Sequence, residues 1–164
     1  MVSRDDPDYG VLNGFHSVSN TTAAQSPLKA CAQAFLAVDL LRNDERPAVF
    51  WYRHDLESFL YVLAWMAYRP QDERTVHPLS GWWRQGYAAS RDLKLQFLKG
   101  HFPPDDISSP IVPLHWITGI RGLFRNGYGT LEESGLDRGG SIGFDEETLR
   151  GHVTYERFLQ IIST

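Results

Sequence analysis

The most informative part of the sequence is RHDLESFLYVLAWMAYRP, which spans residues 53–70. Its apolar side chains recur at the spacing of one face of an α-helix. The residues on that face are Leu56, Phe59, Leu60, Leu63 and Ala67. Further apolar residues cover much of the opposite side, namely Val62, Trp65 and Met66. A helix that is apolar almost all round belongs in the interior of a fold, so this pattern predicts a central helix.

The first turn of this predicted helix carries two acidic residues, Asp55 and Glu57, beside His54. Acidic side chains at a helix start oppose the positive end of the helix dipole. A metal site is the alternative, but residues two apart on a helix point away from each other, so we expect a charged helix N-terminus. Pro70 ends the helix because proline has no backbone N–H with which to continue it.

Helical patterns recur along the rest of the chain, and strand signals are few. Gly100 ends one helical segment, and the hydroxyl of Thr154 is placed to cap the last one. The stretch 126–144 is glycine-rich, which predicts a long surface loop. A phosphate-binding loop is the alternative, but the stretch lacks the G-K-[S/T] ending of a P-loop. The chain is therefore predicted to be mainly α, with helical segments at residues 30–42, 53–70, 81–100, 113–128 and 154–162.

Composition indicates one globular domain and excludes several classes of protein. The length of 164 residues suits a single domain, and the formal net charge of −4 argues against a nucleic-acid-binding surface. The single cysteine, Cys31, excludes an internal disulfide and a multi-cysteine zinc site. The N-terminus is acidic and polar, and the longest apolar run, 59–68, is about half of the roughly 20 residues of a bilayer crossing. We expect an intracellular protein of the cytoplasm or nucleus, without nucleic-acid or membrane partners.

Three motifs, in chain order, resemble motifs of the fungal-type protein kinase family, a divergent branch of the protein kinase fold. RHDLESF at residues 53–59 is similar to the family's run into the central helix of the kinase C-lobe. GVLNGFHS at residues 10–17 resembles the family's version of the D-F-G segment, and AQAFLAVDLL at residues 32–41 its version of the A-P-E anchor. The resemblance covers most of the chain and is strongest over residues 9–68.

The resemblance implies the fold of a kinase C-lobe, organised around the helix that begins near His54. It divides the chain into residues 1–29, a degenerate remnant of the metal-binding and activation segment, and residues 30–164, a helical C-lobe-like region. It also implies the family's activity, which is transfer of phosphate from ATP to serine or threonine of a protein, with Mg²⁺ as the metal cofactor.

Departures from the family's pattern predict that this chain is catalytically inactive. In a protein kinase the Asp of the D-F-G segment holds Mg²⁺, whereas the matching position here is Gly14. His16 is a poor ligand for a cation that prefers oxygen. The nucleotide-binding lobe and the catalytic loop precede this segment in kinases, so we expect both to be missing. The prediction is a pseudokinase fragment with no catalytic residue, cofactor or metal, and the alternative is a non-catalytic protein-interaction module.

Seven residues match the family's structural motifs, and they are Phe35, Asp39, Arg53, His54, Asp55, Glu57 and Ser58. Asp39 stands where the resemblance places the anchor glutamate, which in kinases pairs with an arginine beyond the central helix. The candidates for that arginine are Arg121 and Arg125. Asp55 matches an aspartate that accepts hydrogen bonds from the catalytic loop. Without that loop, we expect Asp55 to serve only the start of its own helix.

A missing N-lobe and catalytic loop would uncover part of the central helix. We expect one apolar face of that helix, on the side of Tyr61 and Trp65, to lack protein against which to pack. Large exposed apolar patches favour association with another protein. The sequence therefore predicts self-association or a protein partner at this face.

Overall fold

The computed structural model describes residues 33–42, 49–68, 76–101, 112–134 and 143–164. These residues are mainly helical and include no strand, which confirms the mainly-α fold class. In chain order they form a 3-10 turn at Val38–Leu41 and the helices α1 (Tyr52–Ala67), α2 (Gly81–Arg84), α3 (Tyr87–Lys99), α4 (Leu114–Glu133) and α5 (Tyr155–Ile162). The region 1–29, with Gly14 and His16, lies outside the described residues, as does Cys31. The division of the chain at residue 30 stays a prediction.

Helix α1 is the helix that the apolar pattern predicts within residues 53–70. It begins after Trp51, whose backbone N–H donates to His54 Nδ1 at 3.2 Å, and it ends at Ala67, before Pro70. Its buried side packs against α4. This side buries charged residues such as Arg53 and Glu57 as well as apolar residues. The hydrophobic pattern of the sequence predicts burial of the apolar residues only.

The single helix predicted over residues 81–100 is broken into α2 and α3, which corrects the prediction. The break falls at Gly86, whose backbone is extended. Glycine is a poor helix former, and the break lets the hydroxyl of Ser90 in α3 donate to the carbonyl of Trp82 in α2 at 2.8 Å. Helix α3 ends at Gly100 as predicted, because Gly100 adopts the left-handed conformation (φ 89°) that suits glycine.

Helix α4 is longer than predicted, since the stretch 126–144, predicted as a loop, is helical as far as Glu133. Packing explains one of its glycines, because a Cβ atom on Gly127 would lie 2.8 Å from the side chain of Leu149. Glycine thus lets the fully buried Leu149 approach the helix backbone closely. The loop prediction is wrong here because tertiary packing outweighs the low helix propensity of glycine.

The segment between α4 and α5 places Leu149 in the core through an unusual backbone conformation. Leu149 (φ 50°) and Arg150 (φ 57°) are both left-handed, which non-glycine residues seldom adopt. Helix α5 then begins as predicted, since the hydroxyl of Thr154 accepts a hydrogen bond from the backbone N–H of Arg157 at 3.3 Å.

The core is built mainly from α1, α3 and α4. At its centre, the ring of Tyr61 packs edge-on against Trp82 with centroids 5.0 Å apart, and Trp82 packs against Phe97 at 5.3 Å. Fully buried aliphatic side chains surround these rings, among them Leu60, Ile117, Ile120 and Leu149. None of the helices in the described part of the chain has the length and apolar character that crossing a membrane requires.

Candidate functional site

A buried ion pair attaches residues 33–42, hereafter the anchor segment, to the start of α1. Arg53 Nη2 donates to Asp39 Oδ2 at 2.5 Å, and Arg53 is only 2% exposed. On the other side of the carboxylate, Arg42 Nη2 lies 3.4 Å from Asp39 Oδ1. The principal arginine partner of Asp39 is therefore Arg53, in the first turn of α1.

The predicted partners of Asp39, Arg121 and Arg125, are wrong. Both lie on α4, and the guanidinium carbon of Arg121 sits 5.7 Å from the ring centroid of Phe97, while Arg125 is exposed. Arg53 is better placed because the first turn of α1 lies beside the 3-10 turn that carries Asp39.

Arg53 also connects the anchor segment to two other parts of the fold. Its Nε donates to the backbone carbonyl of Glu146 at 2.6 Å, in the segment between α4 and α5. Its Nη1 donates to the hydroxyl of Tyr128 on α4 at 3.3 Å. A single guanidinium therefore joins α1 to the anchor segment, to α4 and to the segment that follows α4.

Glu57 is the second charged group of this interior network and is fully buried. Its Oε1 accepts hydrogen bonds from the backbone N–H of Val38 at 2.8 Å and from the hydroxyl of Tyr61 at 2.5 Å. Its Oε2 accepts from the hydroxyl of Tyr128 at 2.6 Å. The charged helix start therefore has two environments, because the carboxylate of Glu57 is satisfied in the interior whereas Asp55 is exposed.

The electrostatics of the network follow from burial and from its two carboxylates. Burial raises the pKa of Asp39, but the neighbouring His54 and Arg53 outweigh it, so the pKa of Asp39 lies well below its usual value. Burial and the charge of Glu57 raise the pKa of Tyr61 and of Tyr128 well above the ordinary tyrosine value. Both tyrosines therefore stay protonated and donate to Glu57 across the physiological pH range.

The remaining motif residues have smaller roles. His54 Nε2 faces Asp39 Oδ2 at 3.9 Å, which is longer than a hydrogen bond. The hydroxyl of Ser58 donates to the carbonyl of His54 at 2.8 Å, within α1. The ring of Phe35 packs edge-on against the ring of Trp65 in α1, with centroids 6.0 Å apart. The structure thus brings Asp39, Arg53, His54 and Glu57 together and leaves Phe35, Asp55 and Ser58 outside the network.

Sequence reasoning missed three residues that complete the interior polar groups: Tyr61, Tyr128 and Lys94. Tyr61 and Tyr128 lie in helical patterns where a tyrosine is first interpreted as core. Lys94 lies between apolar residues of α3, and its Nζ donates to the backbone carbonyls of Gln33 at 3.0 Å and Leu36 at 2.5 Å. A lysine in an apolar stretch of an otherwise amphipathic helix was the available signal, because lysine is almost never fully buried without a partner.

The arrangement holds the anchor segment on the helical core. Its charged and hydroxyl groups bind one another and the backbone in the interior, and Arg53, Glu57 and Lys94 are all buried. Within the described ranges, no group of three or more histidine, cysteine, aspartate and glutamate side chains is placed to hold a metal ion. The chemistry that these groups perform is therefore attachment of one segment to another.

The apolar face of α1 that stays uncovered differs from the one predicted. Tyr61 is fully buried and Trp65 is half-buried, with its ring stacked on His77 at a centroid distance of 3.8 Å. The exposed large apolar residues of α1 are instead Tyr52 in its first turn and Phe59, Val62 and Met66 further along, which are between 36% and 45% exposed. The spacing of Phe59, Val62 and Met66 by three and four residues places them on one stripe of the helix, where the ring of Phe59 also packs edge-on against Phe158 of α5 with centroids 5.7 Å apart.

Comparison with known proteins gives one match. The family model described as fungal protein kinase matches residues 12–67, which is about a third of the chain. No curated protein and no solved structure matches the chain. The matched segment includes Asp39, Arg53 and Glu57, whereas Lys94 and Tyr128 lie beyond it. Over residues 12–67, which contain the anchor segment and the whole of α1, this chain is similar to the fungal protein kinase family.

Proposed function

We propose that this chain is a kinase-related helical lobe that does not itself transfer phosphate. The observation that carries the absence of transfer is Gly14, which stands where the resemblance places the Mg²⁺-binding aspartate. Burial of the charged motif residues supports the helical lobe. Asp39 is ion-paired to Arg53, and Glu57 accepts three hydrogen bonds from protein donors. These groups stabilise the fold and are not presented to a substrate.

Phosphoryl transfer depends on positioning the nucleotide and neutralising its charge, which a bound Mg²⁺ does in protein kinases. The resemblance assigns the Mg²⁺-binding aspartate to the position of Gly14, which has no side-chain oxygen. This substitution supports an inactive chain, and the family relation supports descent from an active one. The same relation, together with a single cysteine, favours a location inside the cell.

The experiment that tests this proposal uses the full 164-residue chain. Titration with ATP and Mg²⁺ in a calorimeter should give no binding heat, and incubation with labelled ATP and a library of serine and threonine peptides should give no labelled product. A known active protein kinase, run in parallel, shows that both assays work. A dissociation constant in the micromolar range, or labelled peptide above the no-enzyme blank, would contradict the proposal.

A second candidate function, a protein-interaction module, is favoured by the exposed stripe of Phe59, Val62 and Met66. Apolar side chains in such a stripe are the usual contacts of a helix with a partner. Sedimentation of the full chain across a concentration series tests this candidate for self-association. A concentration-dependent rise in mass that Val62→Asp abolishes would support it, and a monomer at every concentration would contradict self-association.

A further inference from the structure

Lys94 is a buried basic residue outside the network of Asp39, Arg53 and Glu57. It lies on α3 and is fully buried. The two hydrogen bonds of its Nζ go to backbone carbonyls of the anchor segment, those of Gln33 and Leu36. Aromatic rings of the core lie beside it, with Nζ 4.4 Å from the ring centroid of Tyr61 and 5.7 Å from that of Trp82. The amine is therefore enclosed by neutral groups.

The two carboxylates nearest to this part of the core, those of Glu57 and Asp39, have other partners. The charge of Glu57 on α1 raises the pKa of Lys94, but the Glu57 oxygens accept hydrogen bonds from Val38, Tyr61 and Tyr128. Asp39, on the anchor segment itself, is paired with Arg53. Along α3, Arg91 adds a positive charge one turn before Lys94. Among the described residues, no carboxylate forms an ion pair with Lys94.

A buried cation without a carboxylate partner favours its neutral form, because burial penalises the charged state. Burial accordingly lowers the pKa of Lys94 to about 7, although the charge of Glu57 acts in the opposite direction. The attraction of the two rings and the two carbonyls compensates only part of the lost hydration.

Docking of the anchor segment is what encloses the amine. Both of its hydrogen-bond acceptors belong to that segment, so Lys94 loses them and gains water when the segment leaves. We propose that Lys94 makes docking of the anchor segment proton-dependent: the docked state buries a neutral amine, and protonation of that amine favours release of the segment. This inference holds whether or not the chain transfers phosphate.

The direction of the effect follows from proton linkage. In the released state Lys94 has the ordinary pKa of 10.5, whereas in the docked state it has a pKa of about 7. Between these values the released state binds more protons, so raising the pH favours the docked state. Below the lower value both states are protonated and the dependence on pH disappears.

Hydrogen exchange of the full chain, followed by mass spectrometry from pH 6 to pH 9 and corrected for intrinsic rates, tests the proposal. The opening constant of the anchor segment should fall about fiftyfold from pH 7 to pH 9, close to the limit of about tenfold per pH unit for one linked proton. Lys94→Met, which keeps an apolar stem of similar length, should remove this dependence. Lys99→Met, which changes an exposed lysine of the same helix, should retain it.

The other outcomes overturn the proposal. An opening constant that rises with pH would mean that the charged ammonium holds the segment in place. An unchanged pH dependence in Lys94→Met would assign the linked proton to another group. If Lys94→Met does not fold, the wild-type profile still decides: α4 serves as the internal reference, and an equal pH dependence in α4 and in the anchor segment would show a global effect that contradicts the proposal.

Discussion

The hydroxyl of Tyr128 donates a 2.6 Å hydrogen bond to Oε2 of Glu57, although the two residues are 71 positions apart and both side chains are buried. This contact closes the interior network between α1 and α4. It also places the carboxylate of Glu57 where water cannot replace a lost donor. The stability of the fold therefore depends on a charged residue at its centre.

Removal of the Glu57 carboxylate should destabilise the chain strongly. Glu57→Ala leaves the backbone N–H of Val38 and the hydroxyls of Tyr61 and Tyr128 without their acceptor. Breaking a buried charged network of this kind costs about 3–5 kcal/mol. Urea unfolding measures the loss, and the exposed neighbour Asp55→Ala is the matched control, expected to cost about 0.3–1 kcal/mol. Equal losses for the two variants would contradict this assignment of roles.

A double-mutant cycle can test which arginine pairs with Asp39. Asp39→Asn combined with Arg53→Gln should show a coupling free energy of about 0.5–3 kcal/mol, because the two side chains are in direct contact. The same cycle with the exposed Arg125 in place of Arg53 should show coupling close to zero. Denaturant unfolding of the single and double variants supplies the four free energies for each cycle. A larger coupling with Arg125 would restore the partner first predicted from the sequence.

Two glycines of α4 should respond to alanine in opposite directions. At Gly127 a Cβ atom would lie 2.8 Å from Leu149, so Gly127→Ala should destabilise the fold by about 1–3 kcal/mol through overpacking. At Gly129 a Cβ atom has open space, so Gly129→Ala should stabilise the helix by about 0.5–1 kcal/mol. Thermal unfolding of both variants provides the comparison. A stabilising Gly127→Ala would mean that Leu149 does not pack against the helix backbone.

Acid should weaken the fold in part through His77. Its Nδ1 accepts the backbone N–H of Leu79 at 3.1 Å, and its ring stacks on Trp65. Burial lowers the pKa of His77 below its ordinary 6.5, although the carbonyl of Trp65 acts in the opposite direction. The folded state therefore binds a proton at His77 less readily than the unfolded state does. The contribution of neutral His77 to the stability of the fold is lost as the pH falls below about 6.5.

Melting temperatures measured across this pH range check the role of His77. His77→Phe keeps a ring on Trp65 and should show a smaller fall in melting temperature toward acid than the wild type. The exposed His101→Phe should behave like the wild type. An identical acid dependence for wild type and His77→Phe would assign the effect to other groups.

Local signals in the sequence were sufficient for much of the architecture. The apolar period of residues 53–70 predicts α1, Gly100 marks the end of α3 and Thr154 caps α5. These features depend on neighbouring residues along the chain, because helix periodicity, caps and glycine conformation are local properties. The local prediction of a loop was wrong at Gly127, where the distant side chain of Leu149 requires glycine in a helix.

The interior network depends on contacts between parts of the chain that are far apart. The sequence placed Asp39 and Glu57 in motifs, but it offered no means to choose Arg53 over the arginines of α4, or to see that Glu57 is buried and Asp55 exposed. Two residues of one helical turn receive opposite environments only once α4 and the anchor segment pack against α1. Burial of Lys94 has the same origin, since its hydrogen-bond acceptors come from a segment 58 and 61 positions away. Periodicity along a chain reports which residues share a face, whereas the partner of each polar group is chosen by packing in three dimensions.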